Sequence, residues 1–117
     1  MEVRATRSPD GLPVIALSGS AQAVDTSALL DQLASECDGC HGIVDVRGVP
    51  VMTSSLFGVL QAIAVRLKRD GSRLVVVCPQ DDLPRLRAMR AGRDFALSDS
   101  VDGAQWELTR APSRFQR

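Results

Sequence analysis

Residues 42–61 read GIVDVRGVPVMTSSLFGVLQ, from Gly42 to Gln61, and the period of the apolar residues changes part-way along. The β-branched Ile43, Val44 and Val46 predict a strand, Gly48 to Pro50 a turn, and Val51 and Met52 a return to extended apolar chain. From Thr53 onward the spacing is helical. Leu56, Leu60, Ile63 and Leu67 recur at steps of four, three and four, so they form one stripe of a helix that buries itself against the strand just left. Thr53, Ser54 and Ser55 then sit at the helix N-terminus, where side-chain oxygens cap free backbone amides and the dipole favours negative charge.

Reversible phosphorylation suits that position. A phosphoryl group on Ser54 adds nearly two negative charges beside unpaired amide donors, which the fold tolerates and a partner docked on the same helix end does not. Phe57, Gly58 and Gln61 lie three, four and seven residues beyond Ser54 and share its face, away from the buried stripe. An exposed aromatic beside a glycine predicts a contact patch: the ring supplies area and the glycine allows close approach. On spacing alone, the other reading of Ser54 is a helix cap with no regulatory role.

Residues 51–60 resemble the signature of the STAS domain of bacterial anti-sigma factor antagonists, where apolar residues lead into Asp, Ser, Ser or Thr, Gly, Leu, Gly. The resemblance places the family's phosphorylated serine at Ser54, its hydroxyl neighbour at Ser55 and its last glycine at Gly58. The family's aspartate is Thr53 here, and its first glycine is Leu56. Family members commonly carry Gly, Glu, Leu, Asp in the loop after the second strand, where this chain has Gly19, Ser20, Ala21 and Gln22; Asp45 matches a position that is often acidic. The resemblance, taken with the face that Phe57, Gly58 and Gln61 share with Ser54, implies a partner-binding site of Ser20, Gln22, Thr53, Ser54, Ser55, Phe57, Gly58 and Gln61, with Thr53 and Ser55 as secondary phosphate acceptors. It implies no catalytic residue, metal or cofactor. The implied partner is an anti-sigma factor of kinase-type ATPase fold, which releases a sigma factor when bound, phosphorylates Ser54 and is reset by a phosphatase.

At 117 residues the chain predicts one domain, residues 1–111, with a short basic tail over 112–117. Net charge is zero and aromatics are few, which argues against nucleic acid and anionic membranes as partners. The first residues lack the apolar run of a signal peptide and no stretch approaches the roughly 20 apolar residues of a membrane span, so a cytosolic location is expected.

Around the central run, residues 2–6 and 12–18 predict two strands joined by a turn at Ser8 to Gly11. Asp25 or Thr26 opens a helix whose apolar face is Leu29, Leu30, Leu33, Ala34 and Cys37. Lys68, Arg69, Asp70 and Gly71 end the central helix, with cations where the dipole favours them and a glycine stop. Residues 73–78 form an apolar run expected of an interior strand. A third helix starts at Asp81 or Asp82, with Pro84 in its first turn, carries Leu83, Leu86 and Met89 and stops at Gly92. Phe95 to Leu97 predict a last strand, and a helix opening near Asp99 to Asp102 holds Ala104, Trp106 and Leu108. The order β-β-α-β-α-β-α-β-α gives an α/β fold, a mixed five-stranded sheet packed with about four helices, which the resemblance also implies.

Two rivals stand beside the regulatory reading. The first keeps the fold as a constitutive binding or scaffold subunit of a stress-signalling or transport assembly. The second is a thiol-redox protein using Cys37 and Cys40, although that pair closes a helix rather than opening one, where the dipole would lower a thiol pKa. Cys37 to His41 also spell a haem-attachment motif, which is out of place without an export signal; zinc would need two further ligands. Ser54 as a nucleophile lacks the flanking glycines of an elbow, and the lone histidine, His41, belongs to the far end of the sheet. Arg85, Arg87, Arg90 and Arg93 concentrate charge around the third helix, as a solvated face or as a surface for an acidic partner.

Overall fold

The strands pair in the order in which they occur in the chain. β1 (Glu2–Arg7) and β2 (Pro13–Ser18) form an antiparallel hairpin, while β2, β3 (Gly42–Gly48), β4 (Leu74–Val77) and β5 (Ala96–Ser98) run parallel. α1 (Thr26–Glu36), α2 (Ser54–Arg69) and α3 (Leu83–Ala88) connect successive parallel strands, and α4 (Val101–Arg110) follows the last. The computed structural model describes residues 1–20, 25–37, 39–88 and 95–110. Among them stand the mixed five-stranded sheet and four helices expected from the sequence.

Right-handed crossovers that always step the same way along a sheet place their helices on one face. Ile15, Leu17, Val44, Val46, Leu74 and Val76 accordingly meet Leu29, Leu33, Leu60, Ile63 and Leu86 from α1, α2 and α3. Val14, Ile43, Val75 and Val77 point the other way and meet Ala104 and Leu108 of α4. β4 is thus covered on both faces, which is why its sequence is apolar without alternation. Each fully buried Leu, Ile or Val contributes about 1.5–3 kcal/mol of hydrophobic stabilisation.

The predicted stripe of α2 is buried as expected, with Val59 and Ala64 filling its edges. The helix stops where Gly71, at φ +78°, donates to the Lys68 carbonyl at 3.1 Å and Ser72 reaches back to Leu67 at 2.8 Å. Asp25 caps α1 by accepting from Ala28 N at 3.1 Å.

Several boundaries differ. β4 is shorter than residues 73–78, although Arg73 and Cys78 still bond to neighbouring strands through Gly42 N and Ser98 O. The third helix begins as a 3-10 turn, Gln80–Asp82, before Leu83; Met89 and Gly92 lie outside the described residues, as do Asp38 and the 112–117 tail. Trp106 is 59% exposed rather than held in the core. Ala104 and Leu108 are one helical turn apart and face the sheet, so a residue midway between them, about 200° round the helix, must face out.

Candidate functional site

The C-terminal ends of β2 and β3 bring two connections together. Gly19 N donates to Gly48 O at 3.0 Å, which ties the start of the β2–α1 loop to the exit of β3. The backbones approach so closely that a Cβ on Gly48 would lie 2.9 Å from Ser18 Cβ and 3.1 Å from Leu17 O. Ser20 is exposed beside this junction, whereas Ala21 and Gln22 lie outside the described residues.

Beyond Gly48, Val49 turns back into the core, Val51 is 63% exposed and Met52 is half-buried. Thr53 is the N-cap of α2: its extended backbone (φ −89°, ψ 160°) lets Oγ1 accept from Leu56 N at 3.2 Å, while its carbonyl accepts from Phe57 N at 2.9 Å. The capping duty therefore falls on Thr53. Ser54 and Ser55, the first two helical residues, are exposed, and among the described residues their hydroxyls make no hydrogen bond. They line a recess of about 380 Å³ opposite Thr26 and Ser27 of α1, floored by Leu30 and Gly58.

The predicted contact patch is divided by the structure. Gly58 and Gln61 line the groove between α1 and α2. Phe57 instead leans to the other flank of α2, half-buried against the core, with its ring edge-on to Phe95 at 6.0 Å between centroids. The expectation of an exposed aromatic is thus corrected. A residue three positions on is displaced by about 60° from Ser54 towards the α3 flank, and Phe95 supplies apolar cover there that helical spacing alone does not reveal.

Groups that could do chemistry lie elsewhere. His41 precedes β3 and Ser54 follows it, so they are separated by the length of the strand, about 23 Å at 3.3 Å per residue. His41 Nδ1 accepts from Arg73 N at 2.9 Å, and burial, then the Arg73 cation, hold its pKa below the ordinary 6.5. Burial pushes the Asp45 carboxyl up, but bonds from the Arg47 guanidinium (2.8 and 3.0 Å) and backbone outweigh it and hold the group below the usual carboxylate range. Cys37 is fully buried; desolvation, then Cys40 and Glu36, pushes its thiol up to about 12, so it stays protonated at neutral pH. That opposes a readily cycled dithiol with Cys40. Among the described residues no three His, Cys, Asp or Glu side chains are grouped to hold a metal. Arg85 pairs with Asp82 at 3.3 Å and Arg87 is exposed, while Arg90 and Arg93 lie outside the described residues.

A family model, described as the STAS domain, matches residues 4–104. Among solved structures, an anti-sigma factor antagonist from Mycobacterium paratuberculosis aligns with a TM-score of 0.72 at 18% identity, over 92% of this chain and 95% of that one. A candidate anti-sigma factor antagonist from Thermotoga maritima aligns at 0.69 and 16% identity, over 92% and 95%. Curated proteins yield no significant sequence match. At such identities the two structures establish a shared fold.

Proposed function

The chain belongs to the STAS domain family, and from that premise we propose that it is an anti-sigma factor antagonist whose partner-binding surface is centred on Ser54. The carrying observation is the division of labour at the start of α2. Thr53 holds the helix end, which leaves the Ser54 hydroxyl exposed, unbonded among the described residues, and at the positive end of the helix dipole. In the unphosphorylated state this surface binds an anti-sigma factor with a kinase-type ATPase fold and displaces a sigma factor. Phosphorylation of Ser54 by that partner ends the complex, and a phosphatase restores it. A dianion buried in the contact without a counter-charge costs several kcal/mol, which lowers affinity by orders of magnitude. The nucleotide belongs to the partner. This chain acts as a binding module, a reading supported by the distance of His41 from Ser54 and the commitment of Asp45 to Arg47.

Incubation with ATP and each anti-sigma kinase of the source organism, followed by mass spectrometry of the peptide containing Thr53 to Ser55, tests the switch. One added phosphate on Ser54 is expected. Stable binding with no added phosphate would replace the switch by a constitutive scaffold role, for which the absence of family acids at Gln22 and Thr53 is the motivating feature.

A further inference from the structure

The recess beside Ser54 does not end there. It continues along α2 as a groove of about 750 Å³ whose described lining includes Leu30 from α1, and Leu30, Gly58 and Ala62 line both parts. On α2 the lining residues Ser54, Gly58, Ala62, Val65 and Arg69 recur at steps of four, four, three and four, so they form one stripe of the helix, opposite the buried one. Its 15 residue steps of 1.5 Å make a trough about 22 Å long, the length of a helix of about four turns.

Three features mark the trough as a surface made for something outside the fold. The middle, at Leu30, Ala62 and Val65, is apolar and incompletely covered. Gly58 lies mid-helix without a left-handed φ, and among the described residues a Cβ there would meet nothing within 4 Å, so their packing does not require a glycine. Alanine would favour the helix, which makes close approach by another molecule the physical use of this glycine. At the lower end Arg66 and Arg69 are exposed and, among the described residues, neither is ion-paired. Asp70 sits beyond them, which leaves that end net positive. Cations in a last turn suit the helix dipole on any side, and Lys68 serves there too; the dipole does not explain why two arginines edge the apolar trough.

We propose that the α1–α2 groove seats an amphipathic helix of the anti-sigma partner, its apolar face on Leu30, Ala62 and Val65 and an acidic side chain between Arg66 and Arg69. The proposal rests on the antagonist reading and extends the contact from Ser54 to the far end of α2.

Calorimetric titration with the purified anti-sigma factors of the source organism tests it, using wild type, Gly58→Leu, the double variant Arg66→Glu/Arg69→Glu, and Ser54→Asp. The double variant is expected to bind about 30-fold more weakly at low salt, with a smaller loss at high salt, and a partner Glu→Arg or Asp→Arg change is expected to recover affinity. Gly58→Leu is expected to weaken binding while its melting temperature equals or exceeds that of wild type, which separates lost docking from lost folding. If Ser54→Asp abolishes binding while the groove variants bind as wild type does, the groove proposal is overturned and the antagonist reading stands. If wild type binds none of the anti-sigma factors, both fall. If the groove variants alter self-association in light scattering but leave the heterologous complex unchanged, the occupant is a second copy of this chain, and the proposal is likewise overturned.

Discussion

Thr53 and Ser54 are adjacent hydroxyls with different duties. The Thr53 oxygen is held by Leu56 N, so phosphorylation there would remove the cap of α2, whereas a phosphate on Ser54 would leave it in place. Thr53→Ala is expected to lower stability by about 1 kcal/mol in urea denaturation, and Thr53→Asp to stay within about 0.5 kcal/mol of wild type, because aspartate caps as well as threonine. Sequence spacing located the helix start to within a residue, but could not say which of three consecutive hydroxyls caps it. That depends on which residue takes extended backbone angles, a property of the turn from Val49 to Met52 rather than of the hydroxyls themselves.

Between elements, the informative contacts lie where strands begin and end. At the N-terminal end of the parallel sheet, His41 joins the approach to β3 to the start of β4 by accepting from Arg73 N. Its folded pKa lies below 6.5, so the unfolded chain takes up the proton at higher pH than the folded one. The contribution is therefore fully present above pH 6.5, falls as pH drops from 6.5 towards the lowered folded value, and changes no further below it. Urea midpoints of wild type are expected to fall between pH 7.5 and 5.5 by more than those of His41→Gln; equal slopes would contradict the assignment. The elements themselves were legible because local and global signals agree: the α2 stripe, the apolar run of β4 and the Gly71 stop each predict what forms. Phe57 and Trp106 were misread for one reason. A large apolar residue gives no indication of how far it will be covered: Phe95 packs on the first, whereas the second stays 59% exposed on α4.

On the scale of the molecule, the sheet separates two layers of unequal extent: among the described residues, three connecting helices lie on one face and α4 on the other. This asymmetry places the α2 N-terminus, the recess beside Thr26 and Ser27, and the whole α1–α2 trough on the three-helix side. The sequence signature marked the first of these, since its residues are contiguous. The trough was not legible, because Thr26, Ser27 and Leu30 of its wall come from α1 and its apolar residues read equally well as the edge of a core stripe. The central claim is that charge at Ser54 alters a partner's affinity without altering the fold that carries it. The most direct measurement is the dissociation constant of the anti-sigma factor complex for wild type and for Ser54-phosphorylated protein, taken with the melting temperature of each. The account predicts melting temperatures within about 3 °C of one another and an affinity lower by at least about a hundredfold on phosphorylation. Equal affinities, or a loss of affinity accompanied by a matching loss of folded structure, would contradict it.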